Sequence, residues 1–86
     1  MLTVAVISPE RVLFEGSVTS VVAPAFDGEV GILTGHAPMV TLLGTGELRL
    51  EGGDGGGATQ RFTVHGGFLQ VVDDVVRVVT ERAETA

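Results

Sequence analysis

Apolar and polar positions alternate along most of this chain in short stretches, each closed by a turn residue. From Leu2 to Ile7, Leu2, Val4 and Val6 fall on one face and Thr3, Ala5 and Ile7 on the other. That period of two predicts a strand with one well-buried face and one partly exposed face. Ser8-Pro9-Glu10 predicts a turn. Arg11–Glu15 is short and apolar at Val12, Leu13 and Phe14, and Gly16 closes it. Ser17–Ala23 carries β-branched residues throughout, and Pro24 stops it or places it at an edge. Asp27-Gly28 is a turn signal.

Glu29–Leu33 predicts the next strand, and Thr34-Gly35-His36-Ala37-Pro38 turns the chain into a brief apolar strand, Met39–Leu43. After Gly44-Thr45-Gly46, the stretch Glu47–Glu51 points Leu48 and Leu50 inward and Glu47, Arg49 and Glu51 outward. The glycine-rich Gly52–Gly57 predicts a hairpin connector to Thr59–Val64, where Phe62 and Val64 share a face. It lacks the Gly-Lys-Ser/Thr ending of a phosphate loop, and no helical pattern follows it. Gly66-Gly67 is another break. Phe68–Val72, a tight turn at Asp73-Asp74 and Val75–Thr80 complete the series, and Glu81–Ala86 is a polar tail.

No amphipathic helical pattern interrupts these strands. About nine short strands in one small chain predict an all-β fold, a two-sheet antiparallel β-sandwich or a barrel. Each sheet is expected to have an inner aliphatic face and an outer polar one. The sandwich domain is expected over 1–83, with 84–86 as tail.

Composition narrows this. The chain has 86 residues, no cysteine and no tryptophan, and 44% of it is hydrophobic. The core must be aliphatic, and disulfide and thiolate chemistry are excluded. A net charge of −6 without a basic run argues against nucleic acid and against charge-driven binding to an anionic bilayer. No apolar run approaches the ~20 residues of a membrane helix. Met1-Leu2-Thr3-Val4 does not read as a signal peptide. A soluble protein, made where it works, is the expectation.

Candidate chemistry is sparse. Gly28–Pro38 gathers glycines, Glu29, His36 and Pro38, so local rules are bent there, as they often are at functional sites. A metal site on His36 and Glu29 lacks an evident third ligand. The plainer expectation for His36 is a turn histidine bonding nearby backbone, and for His65 a structural or partner-facing role. Asp73-Asp74 at a hairpin tip is expected to point into water, away from any shared bond. Ser17 and Ser20 have no local base. A small metal-dependent enzyme and a free ligand-binding module with its mouth at Gly28–Pro38 are the competing readings. The residues themselves favour a non-catalytic binding or architectural part.

The stretch Gly28-Glu29-Val30-Gly31-Ile32-Leu33-Thr34-Gly35-His36-Ala37-Pro38-Met39 resembles the signature of the epsilon subunit of F-type ATP synthase (delta in mitochondria), typically Gly-Glu-Leu/Val-Gly-Ile-Leu/Tyr-Pro-Gly-His-Ala-Pro-Leu. Ser8-Pro9-Glu10 with Leu13-Phe14-Glu15-Gly16, the segment Val18–Pro24, His65-Gly66-Gly67-Phe68-Leu69-Gln70-Val71 and Val75–Ala83 are similar to the rest of that family's β domain. Thr34 departs from the proline often found before Gly-His.

The resemblance implies a ten-stranded sandwich, with the tenth strand split from a longer run. It implies a rotor part of the central stalk that has no catalytic residue, cofactor or metal. Its partners would be the gamma subunit and the c-ring of a proton-transporting synthase, with rotation coupling ion flow to ATP synthesis. The location would be peripheral, on the cytoplasmic face of the bacterial plasma membrane, without insertion. By motif position, Asp27, Gly28, Glu29 and Gly31 would face the ring, and His36, Ala37, Pro38 and Met39 the gamma side. Many members continue into two C-terminal helices that restrain ATP hydrolysis. The sequence stops at Ala86, so helix-mediated inhibition and ATP binding are not expected of it.

Overall fold

The computed structural model describes residues 1–52 and 59–85, so most of the glycine connector Gly52–Gly57 lies outside the described residues. Among the described residues, ten strands form two five-stranded sheets. They are β1 (Leu2–Ile7), β2 (Val12–Val18), β3 (Ser20–Ala25), β4 (Gly28–Leu33), β5 (Met39–Leu42), β6 (Thr45–Glu51), β7 (Gln60–His65), β8 (Phe68–Val72), β9 (Val75–Val79) and β10 (Ala83–Thr85). Sheet A has the order β2-β1-β9-β8-β5, and sheet B the order β10-β7-β6-β3-β4.

The all-β sandwich expected from the alternation is present. Its inner faces are made by the residues that the period of two assigns. Leu2, Val4 and Val6 of β1, Leu69 and Val71 of β8, and Val76 and Val78 of β9 meet Val21, Ile32, Leu48, Leu50, Phe62 and Val64 from sheet B. Nearly all of these are fully buried. At about 25 cal/mol per Å² of apolar area removed from water, this layer is the main source of stability.

Four details differ from the sequence reading. Gly16 lies inside β2, and the break falls at Thr19. There the Thr19 amide and hydroxyl both bond the Glu51 carbonyl, at 2.8 and 2.9 Å. Pro24 lies inside β3, which is flanked on both sides, but the paired register with β6 ends at Val22. The missing proline N–H therefore costs no ladder bond to β6. The pairing is not wholly antiparallel: β1 and β9 run parallel, with Val4 opposite Val76.

The tenth strand also comes from an unexpected place. Ala83–Thr85, read as part of a polar tail, pairs antiparallel with β7 from Ala83–Val64 to Thr85–Phe62. No longer run is split to make it. Thr80 turns the chain across from sheet A. Its buried hydroxyl lies 2.9 Å from the Gly66 carbonyl and 3.0 Å from the Arg82 carbonyl.

Candidate functional site

The Gly28–Met39 stretch occupies one side of the sandwich. β4 is the edge of sheet B, β5 is the edge of sheet A, and residues 34–38 cross between them. Asp27 and Phe26 form the two-residue turn between β3 and β4, with Ala25 opposite Gly28. Gly28 has φ +133°, which explains a glycine there. Glu29 and Gly31 are exposed and stand opposite Pro24 and Val22.

At the far end of β4, Leu33-Thr34-Gly35-His36 is a β-turn closed by the His36 amide bonding the Leu33 carbonyl at 3.1 Å. Gly35, at the third position, has φ +87°. That is the pattern of a type II turn, which favours glycine at the third position and proline at the second. The second position is Thr34.

The imidazole of His36 is half-buried, and its Nδ1 lies 2.7 Å from the Ala37 carbonyl. A carbonyl only accepts, so Nδ1 carries the proton. This is the turn-histidine arrangement. Ala37 and Pro38 are exposed, while Met39 packs partly against the core. The two ends of β4, Gly28 and Leu33, are about 17 Å apart at 3.3 Å per residue, so the Asp27-Gly28 turn and His36–Met39 lie towards opposite ends of the strand, with Glu29 and Gly31 between them. Among the described residues, no three His, Cys, Asp or Glu side chains gather as a metal-holding group.

One expectation at this end needs correction. Asp73-Asp74 forms the tight turn, with φ of 49° and 62°, the positive pair that a type I′ hairpin requires. However, Asp74 does not simply point into water. Its Oδ1 accepts a hydrogen bond from the Gly35 amide at 2.7 Å. The reason is tertiary. β5 pairs with β8, with Met39 opposite Val71, so the connector leading into β5 arrives beside the β8–β9 turn.

Sheet A also departs from the expected polar exterior. Val12, Ile7, Val79, Phe68 and Leu42 stand opposite one another in turn across all five strands. The next outward row reads Glu15, Ala5, Arg77, Gln70 and Val40. Beyond it Val75 stands opposite Val72. Val40 is 68% exposed and Leu42 63%. Phe26 joins this border, because its amide bonds the Leu42 carbonyl at 3.0 Å. By contrast, the outer face of sheet B presents Glu47, Arg49, Glu51, Arg61, Thr63 and Glu84.

An outward apolar row across five strands, extended by Val40 and bordered by Glu15, Arg77 and Gln70, is the kind of surface that marks an interaction site. Its residues were not among the candidates read from sequence. The signal was there in Phe68-Leu69-Gln70-Val71-Val72 and Val75-Val76-Arg77-Val78-Val79, whose apolar residues fall on both faces. A hollow of about 260 Å³, lined by Pro9, Gly67, Phe68, Val79, Thr80 and Glu81, opens at one end of this face. None of Gly28–Pro38 lines it.

The sequence family described as ATP synthase, Delta/Epsilon chain, beta-sandwich domain matches residues 1–86. This chain belongs to that family. It is 46% identical over 85 residues to the ATP synthase epsilon chain of Solibacter usitatus, covering 99% of this chain and 61% of that one. It is 42% identical over 80 residues to the epsilon chain of Leptospira borgpetersenii, covering 93% and 61%. The chain thus spans about three fifths of the length of these curated relatives.

Among solved structures, it is similar to a chain in the mitochondrial ATP synthase of Euglena gracilis, described as OSCP/F1/c-ring. The TM-score is 0.87 at 27% identity, over 98% of this chain and 52% of that one. A chain from the Tetrahymena thermophila mitochondrial ATP synthase shares the fold, with a TM-score of 0.76 at 17% identity.

Proposed function

We propose that this chain is the β-sandwich part of a non-catalytic, epsilon-type subunit in the central stalk of a proton-transporting F-type ATP synthase. In this reading it joins the gamma subunit to the c-ring and helps transmit rotation between ion flow and ATP synthesis. The observation that carries the reading is the outer face of sheet A. Val40, Leu42, Phe68, Val72 and Val75 are exposed there, although a sandwich domain acting alone would place polar residues at such positions.

Gamma docks on that face and on the adjoining His36, Ala37, Pro38 and Met39. The ring loops meet the Asp27, Gly28, Glu29 and Gly31 end, where an acidic side chain supplies orientation more than affinity. Both contacts are borne by a packed two-sheet body, and close packing gives the stiffness that torque transfer requires. The complex holds the chain at the cytoplasmic side of the bacterial plasma membrane. No helix among the described residues is long and apolar enough to cross a membrane, and attachment is through the partner subunits.

The test is reassembly with synthase stripped of its epsilon-type subunit. Leu42→Asp leaves the melting temperature within about 2 °C of wild type and weakens reassembly at least tenfold, because a carboxylate is then buried in an apolar contact. Glu29→Arg permits assembly and lowers proton-coupled ATP synthesis. Undiminished reassembly of Leu42→Asp would remove sheet A as the docking face. Full coupling with Glu29→Arg would remove the ring contact.

A further inference from the structure

The Gly35 amide belongs to the Thr34–Gly35 peptide, the central peptide of the Leu33–His36 turn. Type I and type II turns differ chiefly by a flip of this one peptide plane. The Asp74 carboxylate receives the Gly35 N–H at 2.7 Å. Only one of the two orientations can make that bond.

We infer that Asp74 is the positioning residue of the His36–Met39 contact segment, holding the Thr34–Gly35 peptide in its type II orientation from the opposite sheet. The backbone that carries this carboxylate is well anchored. Asp74 sits in a turn fixed by the β8–β9 register, and its backbone carbonyl accepts from the Thr3 amide at 2.9 Å. One two-residue turn therefore ties together β1, β8, β9 and the connector from β4 to β5.

The need for such a tie follows from the sequence. Thr34 has a freer φ than a proline would in the second position of the turn, and Gly35 is freer still. Two permissive residues in succession leave the turn under-determined by its own chain. A charged acceptor supplies the missing constraint from outside, and charge-assisted hydrogen bonds are the stronger class. The link to docking rests on the reading of His36–Met39 given above. The link to turn geometry does not.

Three variants separate the effects. Asp74 has φ 62°, so glycine at this position relieves the backbone and removes the carboxylate, whereas asparagine keeps an acceptor oxygen and tolerates that φ. Asp74→Asn is expected to retain slow exchange of the Gly35 amide and to reassemble with stripped synthase within about twofold of wild type. Asp74→Gly keeps the wild-type melting temperature, exchanges the Gly35 amide at least tenfold faster, and binds about five- to tenfold more weakly. Adding Thr34→Pro to Asp74→Gly restores most of that affinity by stiffening the turn from within.

Unchanged Gly35 exchange in Asp74→Gly would overturn the positioning role. Faster exchange with undiminished binding would overturn its importance for docking. If wild type itself does not reassemble, the docking reading fails, and the exchange contrast alone decides whether Asp74 holds the turn.

Discussion

Gly67 lies directly against the backbone carbonyl of Val79, so closely that a Cβ at this position would collide with the oxygen and with Thr80 Cα. Its φ of 106° is also one that side chains rarely adopt. The Gly67 carbonyl in turn accepts from the Leu43 amide at 2.9 Å, at the point where the chain leaves β5. The Gly66-Gly67 break is therefore a site of close backbone packing as well as a bend. Gly67→Ala is expected to destabilise the fold by about 2–4 kcal/mol, from positive-φ strain and overpacking together. Urea unfolding of the two proteins side by side measures it.

Thr34 offers the opposite case. It occupies the second position of a turn whose third residue is a glycine at positive φ. The preceding Leu33 is in a strand, the conformation that a following proline prefers. Thr34→Pro should raise stability by about 0.4–1 kcal/mol by restricting the unfolded chain. Thermal unfolding should show a midpoint a few degrees higher, with the Gly35 amide still protected.

Thr80 tests the crossing to β10. Its hydroxyl serves the Gly66 and Arg82 carbonyls in a buried setting. Thr80→Val keeps the shape but leaves those carbonyls without it, and should cost about 1–2 kcal/mol. The loss should be concentrated at β10, read as faster amide exchange over Ala83–Thr85. Thr80→Ser should recover most of it.

Asp73 carries φ 49° in a turn that prefers asparagine at that position. Asp73→Asn also removes a negative charge next to Asp74. A gain of about 0.5 kcal/mol is expected, with Gly35 exchange unchanged, since Asp73 does not make the bond to it. A chemical denaturation midpoint that fails to rise would show that Asp73 is not strained.

Much of the fold was readable because the aliphatic residues keep a period of two. Leu48 and Leu50 point inward and Glu47 and Glu51 outward, as their alternation requires. Phe62 and Val64 are buried for the same reason. Gly16 reads as a strand end, and Pro24 as a strand end or an edge position, when each is judged by local propensity alone. In β2 and β3, pairing with neighbouring strands outweighs that propensity. Ala83–Thr85 was missed because a three-residue strand has almost no pattern of its own, and its place is given by the free edge of β7.

The candidate site divides in the same way. Residue pattern alone sets the aliphatic core, the turn positions of Gly28 and Gly35, and the special character of the Gly28–Met39 stretch. These are local matters, set by side-chain alternation and by which residues tolerate positive φ. Tertiary packing sets the parallel pairing of β1 and β9, the alignment of Leu42, Phe68, Val79, Ile7 and Val12 as one outward-facing apolar row, and the reach of Asp74 to Gly35. Each depends on strand order and register between distant segments, and a one-residue shift would turn every side chain to the other face. That information lies in the packing of the two sheets against each other, which the alternation within any one strand does not carry.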